Sequence, residues 1–278
     1  MSKKLAFYSA PKKGMSSYYE MVDLSAQYGH ETVEGYAMFE FATPDVEAAK
    51  KLKAYADQKG VKFNCFSIFI DLSVGDADAQ IELLKRYADV TAALGCPYLH
   101  HTIIGECEDF ERVLAHKEEY FQLGIRAVRE VYDYAETVGV KAIYEPQGYI
   151  FNGVEGIGRL LKEVDRDIGI VCDVGNMYEY GETAMPFVKA FADKVCHVHI
   201  KDIILTPENE LGYGYPIKSG GYMTEVLFGQ GIVPIAEAIA YLKDFGYDGP
   251  YSIEYNPREE GMSETDACIA HLNEILGE

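Results

Sequence analysis

Short apolar runs recur along the chain at regular intervals, and amphipathic stretches with helical spacing lie between them. Eight of the runs read as strands: Leu5–Ser9, Thr32–Met38, Lys62–Phe69, Tyr98–Ile103, Lys141–Glu145, Gly169–Asp173, Cys196–Lys201 and Tyr251–Tyr255. The intervening segments Asp45–Gln58, Ala77–Leu94, Lys117–Val138 and Pro234–Phe245 carry apolar residues on one helical face. Several of these segments end at a glycine (Gly60, Gly95, Gly139, Gly246), a residue that stops helices by taking up left-handed backbone geometry. Near-continuous apolar strands alternating with helices imply a parallel sheet covered on its outer face. Repeated eight times, the alternation predicts an α/β fold closed as a single (β/α)8 TIM barrel spanning residues 1–278. The length agrees, since one such barrel takes about 250 residues.

Period-two alternation then assigns faces. In VCHVHIK, Val198 and Ile200 share the face that packs on the outer helices, so His197 and His199 point into the barrel. His199 lies nearer the C-terminal end, and His197 lies about 6–7 Å deeper at the usual strand rise. By the same rule Asp173 points inward with Val171, and Glu254 points inward with Ser252. In the fourth strand, outward Leu99 and Ile103 turn His100 inward rather than His101, unless the βα turn breaks the phase.

Composition narrows the partners. A formal net charge of −20 repels a phosphodiester backbone and argues against nucleic-acid binding. No apolar run approaches the roughly 18 residues of a membrane span. The N-terminus lacks the apolar core of a secretory signal, so a cytoplasmic location is expected. Six cysteines (Cys65, Cys96, Cys107, Cys172, Cys196, Cys268) are scattered without a CxxC pair and read as reduced core thiols. No GxGxxG follows the first strand, which removes the usual dinucleotide-binding signal.

The candidate chemistry lies at the strand ends. Glu145, Asp173, His199 and Glu254 end consecutive strands, facing inward at the rim where barrels of this type keep their active sites. One carboxylate at a strand end is commonly a helix cap or a salt-bridge partner. Three beside an imidazole repel one another unless a cation offsets them, and oxygen and imidazole donors suit a divalent metal ion.

The motifs LGCPYL, IYEP, CDVGN, HVHIKD and GYDGPYSIE resemble those of the xylose-isomerase-like barrel superfamily. That superfamily includes sugar isomerases, ketose 3-epimerases, inosose dehydratase and endonuclease IV. The resemblance implies that Glu145, Asp173, His199 and Glu254 hold one divalent ion, commonly manganese, magnesium, cobalt or zinc. It further implies that Glu145 and Glu254 act as catalytic acid and base on a small carbohydrate or polyol substrate, by way of an enediolate. The leading expectation is a metal-dependent sugar or sugar-phosphate isomerase or epimerase. The first alternative is a dehydratase of the inosose or dehydroshikimate type. An endonuclease IV-like nuclease needs more His and Asp ligands than this chain, with 7 His in all, can supply. A non-catalytic sugar-binding barrel is the remaining alternative. The epimerases commonly place a His three positions after the aspartate, an Arg six after the metal His and a second Glu six after the first. Here Asn176, Leu205 and Phe151 stand at those positions.

His100, His101, Asn176 and Lys201 are the expected substrate contacts, with a salt bridge as the structural alternative for Lys201. His197 is expected to be a buried residue behind the metal ligands. FGQGIVP is read as a structural turn rather than a phosphate cradle. The Tyr- and Gly-rich stretch LGYGYPIKSGGYM is expected to be a long loop serving as a lid, a binding loop or a subunit contact, which leaves a homo-oligomer open.

Overall fold

A computed structural model of the chain describes residues 3–8, 10–105, 109–209 and 212–277. Seven strands come first: β1 (Leu5–Phe7), β2 (Thr32–Tyr36), β3 (Lys62–Ile68), β4 (Tyr98–His101), β5 (Lys141–Tyr144), β6 (Gly169–Asp173) and β7 (Val195–Ile200). Three short ones follow, β8 (Asp202–Thr206), β9 (Tyr215–Pro216) and β10 (Tyr222–Val226), and then β11 (Tyr251–Ile253). Strands β1 to β7 and β11 close into a barrel in the order β1-β11-β7-β6-β5-β4-β3-β2, with every pair parallel. This is the expected (β/α)8 barrel. Ser9, Cys107 and Leu211, which the sequence reading placed in a strand, among the thiols and at the start of the Tyr-rich loop, lie outside the described residues.

Most strands stop a residue or more before the end of the apolar run. At the barrel mouth the chains splay toward their loops, and ladder pairing ends before the inward alternation does. Glu145 and Glu254 therefore sit just past β5 and β11. The helix Val46–Lys59 shows how the outer layer is set locally. The Asp45 carboxylate accepts from the backbone N–H groups of Glu47 and Ala48 (both 2.9 Å), and Gly60 ends the helix at φ +72°.

One correction concerns the segment after β7, which is not simply a long loop. Strands β8, β10 and β9 form a small antiparallel sheet. Its strands are short and the segments joining them carry Gly212, Gly214, Gly220 and Gly221, so alternation does not announce them. The FGQG segment is a structural turn as expected. The Asp202 carboxylate accepts from the N–H groups of Gly229 (2.9 Å), Gly231 (2.9 Å) and Val233 (3.1 Å). A Cβ on Gly231 would lie 2.1 Å from Asp202 Oδ1, so only glycine lets the backbone come this close.

The apolar residues divide between two cores. The large one lies between strands and helices and takes in Leu5, Phe7, Leu52, Leu99, Ile170, Val198, Ile200 and Leu242. The small one fills the lower barrel interior with Cys65, Ile143 and Val171. Above it the interior becomes polar, and that change positions the site. The free cysteines Cys65, Cys96, Cys172 and Cys268 are buried, and burial raises their thiols, Cys172 to about 12. No helix among the described residues is long and apolar enough to cross a membrane.

Candidate metal centre

The ladder register brings the polar residues into layers. Asp173 lies level with His199, and His199 level with Ser252; one step down, Val171 lies level with His197. Asp173 ends β6, His199 is the penultimate residue of β7, and Glu145 and Glu254 follow the last residues of β5 and β11. The four side chains converge at the C-terminal mouth. His199 Nδ1 is 3.2 Å from Glu254 Oε2, 3.4 Å from Glu145 Oε2 and 3.9 Å from Asp173 Oδ2.

Hydrogen bonding elsewhere leaves these atoms bare. Asp173 Oδ1 accepts from the N–H groups of Gly175 and Asn176 (2.7 Å each), so Oδ2 turns to the centre. Asp173 Oδ2, Glu254 Oε2 and His199 Nδ1 are all buried without a hydrogen-bond partner. Such atoms are costly to bury unless something else pairs with them. Burial together with the neighbouring Glu254 and Glu145 drives the Asp173 carboxyl well above the usual carboxylate range, although Lys201 opposes the shift. Burial also pushes Glu145 upward, but His100 and His199 in their protonated forms outweigh it and hold that carboxyl at about 2. Crowded carboxylates beside a bare imidazole nitrogen fit a divalent cation by both charge and donor type.

The remaining sequence candidates separate. Lys201 lies among the carboxylates: its Nζ is 2.7 Å from Glu254 Oε1 and 3.4 Å from Asp173 Oδ2, and it donates to Asn176 Oδ1 at 2.9 Å. The salt-bridge alternative for Lys201 is therefore present, while its side chain still reaches the cavity wall. The adjacent Asp202 carboxylate instead holds the FGQG turn. His100 and Asn176 line the same cavity, of about 760 Å³. His101 does not. Its Nδ1–H donates to the Thr102 carbonyl at 2.7 Å, its ring packs edge-on against Tyr144, and burial lowers its pKa to about 4. The strand phase that favoured His100 thus runs to the end of β4. Phe151 stacks on Phe121 in the outer core, and Leu205 is 43% exposed on the small sheet.

One residue beneath the site escaped the sequence reading. Glu34, in the middle of β2, is fully buried, and its carboxylate accepts from His199 Nε2–H (3.0 and 3.2 Å) and His197 Nε2–H (2.6 Å). The available signal was its inward parity within TVEGY. Tyr8 also lies in the site, its ring stacked on His199 at 4.7 Å.

The fold and this constellation define a (β/α)8 barrel with a carboxylate–imidazole centre at its mouth. The chain belongs to the xylose isomerase-like TIM barrel family, whose model matches residues 22–272. It is 23% identical over 204 residues to the inosose dehydratase of Geobacillus thermodenitrificans, a match covering 68% of this chain and 65% of that enzyme. Among solved structures, the IOLI protein with a bound zinc atom matches with a TM-score of 0.77 at 20% identity, covering 99% of this chain and 98% of the other. The D-psicose 3-epimerase of Clostridium cellulolyticum H10, solved with D-tagatose, matches with a TM-score of 0.69 at 18% identity, covering 95% and 89%. At these identities the structural likeness concerns the fold.

Proposed function

We propose that the protein is a divalent-metal-dependent dehydratase acting on a small, uncharged polyhydroxylated ketone. The observation that carries the metal reading is the convergence of three buried donor atoms without hydrogen-bond partners, on Asp173, His199 and Glu254, with Glu145 alongside. A bound divalent ion supplies Lewis acidity, which lowers the cost of negative charge developing on a carbonyl oxygen. Glu145 lines the cavity and is assigned the base that takes the proton from the adjacent carbon. The Lys201 ammonium, on the same wall and 2.7 Å from Glu254, is assigned the donor to the departing hydroxyl, which leaves as water. Solvent then restores both groups.

Elimination is favoured over epimerisation on two grounds. Asn176, Leu205 and Phe151 do not supply the His, Arg and Glu with which the epimerases orient a free ketose, and Phe151 and Leu205 lie off the cavity wall. The inosose dehydratase relative points the same way. The isomerase or epimerase reading keeps one specific support: Glu145 and Glu254 both line the cavity, as a proton relay between two substrate carbons requires.

Charge narrows the substrate. Asp71, Glu145, Glu179, Glu225 and Glu254 line the cavity and Asp173 lies beneath them, while Lys201 is the single Lys or Arg among the described lining residues. Six carboxylates against one ammonium and a divalent ion leave the site formally negative, which disfavours a phosphorylated substrate.

The test is turnover of manganese-loaded protein on a panel of inososes and free ketoses in D2O, followed by NMR and mass spectrometry. Loss of water from an inosose is expected. Deuterium incorporation without loss of water would move the assignment to the isomerase or epimerase. Purified protein that takes up none of manganese, magnesium, cobalt or zinc would overturn the metal mechanism altogether.

A further inference from the structure

The bonds made by Glu34 have a consequence beyond the metal ligand that it touches. Its carboxylate accepts from three buried donors: His197 Nε2–H at 2.6 Å, His199 Nε2–H at 3.0 Å and Ser67 Oγ–H at 2.6 Å. A serine hydroxyl has a single proton, and here Glu34 takes it. Ser67 Oγ also lies 2.9 Å from His100 Nδ1, so in that contact the hydroxyl can only accept. His100 must therefore carry its proton on Nδ1, and Nε2 is the ring atom it turns toward Glu145 Oε1, 3.4 Å away, and the cavity. The same logic acts on His199. With Nε2–H committed to Glu34, Nδ1 is the nitrogen that meets Glu145, Asp173 and Glu254.

We infer that Glu34 is a positioning residue that fixes the tautomers of two imidazoles at once, His199 directly and His100 through Ser67. It thereby aims one ring nitrogen at the metal donor set and another at Glu145 and the substrate. The strands make this arrangement stiff. Glu34 lies level with Cys65 across a bulge at Val33/Glu34 in the β2–β3 pairing, and Ser67 lies level with His100 between β3 and β4. Gly35 lets β2 press against Phe66, whose ring would meet an added Cβ at 2.6 Å. Glu34, Ser67, His100, His197 and His199 are all at most 2% exposed. A carboxylate behind a metal-binding imidazole usually orients it and raises its basicity.

Glu34, His197 and His199 also have the composition of a second metal group. The 2.6 Å between Glu34 Oε2 and His197 Nε2 argues against it. Two ligands on one tetrahedral zinc stand about 3.3 Å apart at the usual bond lengths of roughly 2.0–2.1 Å. The short separation is that of a hydrogen bond, and a single ion held by the other donor set would use the opposite side of His199, Nδ1.

The affinity arm of the test rests on the metal reading proposed above, and the tautomer arm does not. Long-range ¹H–¹⁵N spectra of the wild-type protein, metal-free and zinc-loaded, report which ring nitrogen carries hydrogen. We expect Nδ1–H at His100 and Nε2–H at His199. A bare Nδ1 at His100 overturns the inference. Glu34→Gln is expected to weaken zinc or manganese binding about 10–100-fold in a chelator competition, with Glu34→Asp recovering part of the loss. A folded Glu34→Gln variant of wild-type affinity overturns it too. Should Glu34→Gln fail to fold, Ser67→Ala serves: it removes the acceptor and must release His100 from the Nδ1–H form, while His199 keeps its tautomer. A wild-type protein that binds no metal yet shows both tautomers defeats the proposed function and leaves Glu34's role standing.

Discussion

Metal binding should appear first as stability. Without an ion the centre holds Glu145, Asp173 and Glu254 around His199 Nδ1, with distances of 3.2–3.9 Å and three bare donor atoms. This repulsion is relieved in the unfolded chain, where the same carboxylates separate into water. An ion that binds only the folded state stabilises it by RT ln(1 + [M]/Kd), about 4 kcal/mol at a thousandfold excess over Kd. For 278 residues, at about 2.1 cal/mol/K each, the unfolding entropy is about 0.6 kcal/mol/K, so the shift in Tm is about 7 °C. The assay is calorimetry of chelator-treated protein with and without added manganese. A titration should move Tm upward by a further ~2.3 °C per decade of metal, because each decade adds about 1.4 kcal/mol. Asp173→Asn keeps the side-chain shape and an oxygen for the Gly175 and Asn176 N–H groups, yet should lose most of the metal-dependent shift. Identical Tm values in chelator and in millimolar manganese would refute the reasoning, as would an Asp173→Asn variant that responds like the wild type.

Three further outcomes follow from particular side chains. Lys201→Met should lower the dehydration rate about 10²–10⁴-fold while retaining exchange of the substrate proton in D2O, because it removes the donor and not the base; loss of both together would argue against that division of roles. His30 is buried beside Phe7 and Tyr28, and burial lowers its pKa to about 4. In the unfolded chain it titrates near 6.5, so the unfolded state binds the extra proton and stability falls as pH drops from 6.5 toward 4. The effect is about 3 kcal/mol; urea titrations across that range should show it, and His30→Leu should flatten the slope. Gly231→Ala forces a Cβ into the Asp202 carboxylate and should destabilise the fold by about 1–3 kcal/mol in the same titrations.

The site was readable from sequence where alternation and topology agree. Inward parity of His199, Asp173 and Glu254 holds because each lies in or directly follows a strand whose alternate residues are apolar and face the helices. Val198, Ile200, Ile170 and Cys172 are all fully buried in that outer core. Glu145 and Glu254 keep the parity although β5 and β11 end one residue before them, and the Glu254 N–H still donates to the Ile200 carbonyl of β7 at 2.9 Å. Bulges at Val33/Glu34 and Ile170/Val171 each insert a residue, Asn64 or Cys196, that shifts the register between neighbouring strands. Which residues of β2 and β3 lie level with one another is a fact of pairing, and no single strand's pattern contains it. That is why Glu34 stayed hidden. Within TVEGY it is one carboxylate in a short strand, with nothing beside it in sequence to suggest two histidines from β7 and a serine from β3. The same physics explains the long segment after β7. Tyr222–Val226 forms a strand because β8 and β9 flank it, and its partners lie on either side of glycine-rich turns that erase the period. What a strand presents is local and can be read in advance. What it meets depends on register, and in this protein register links His199 to the cavity histidine His100 through one buried carboxylate and Ser67.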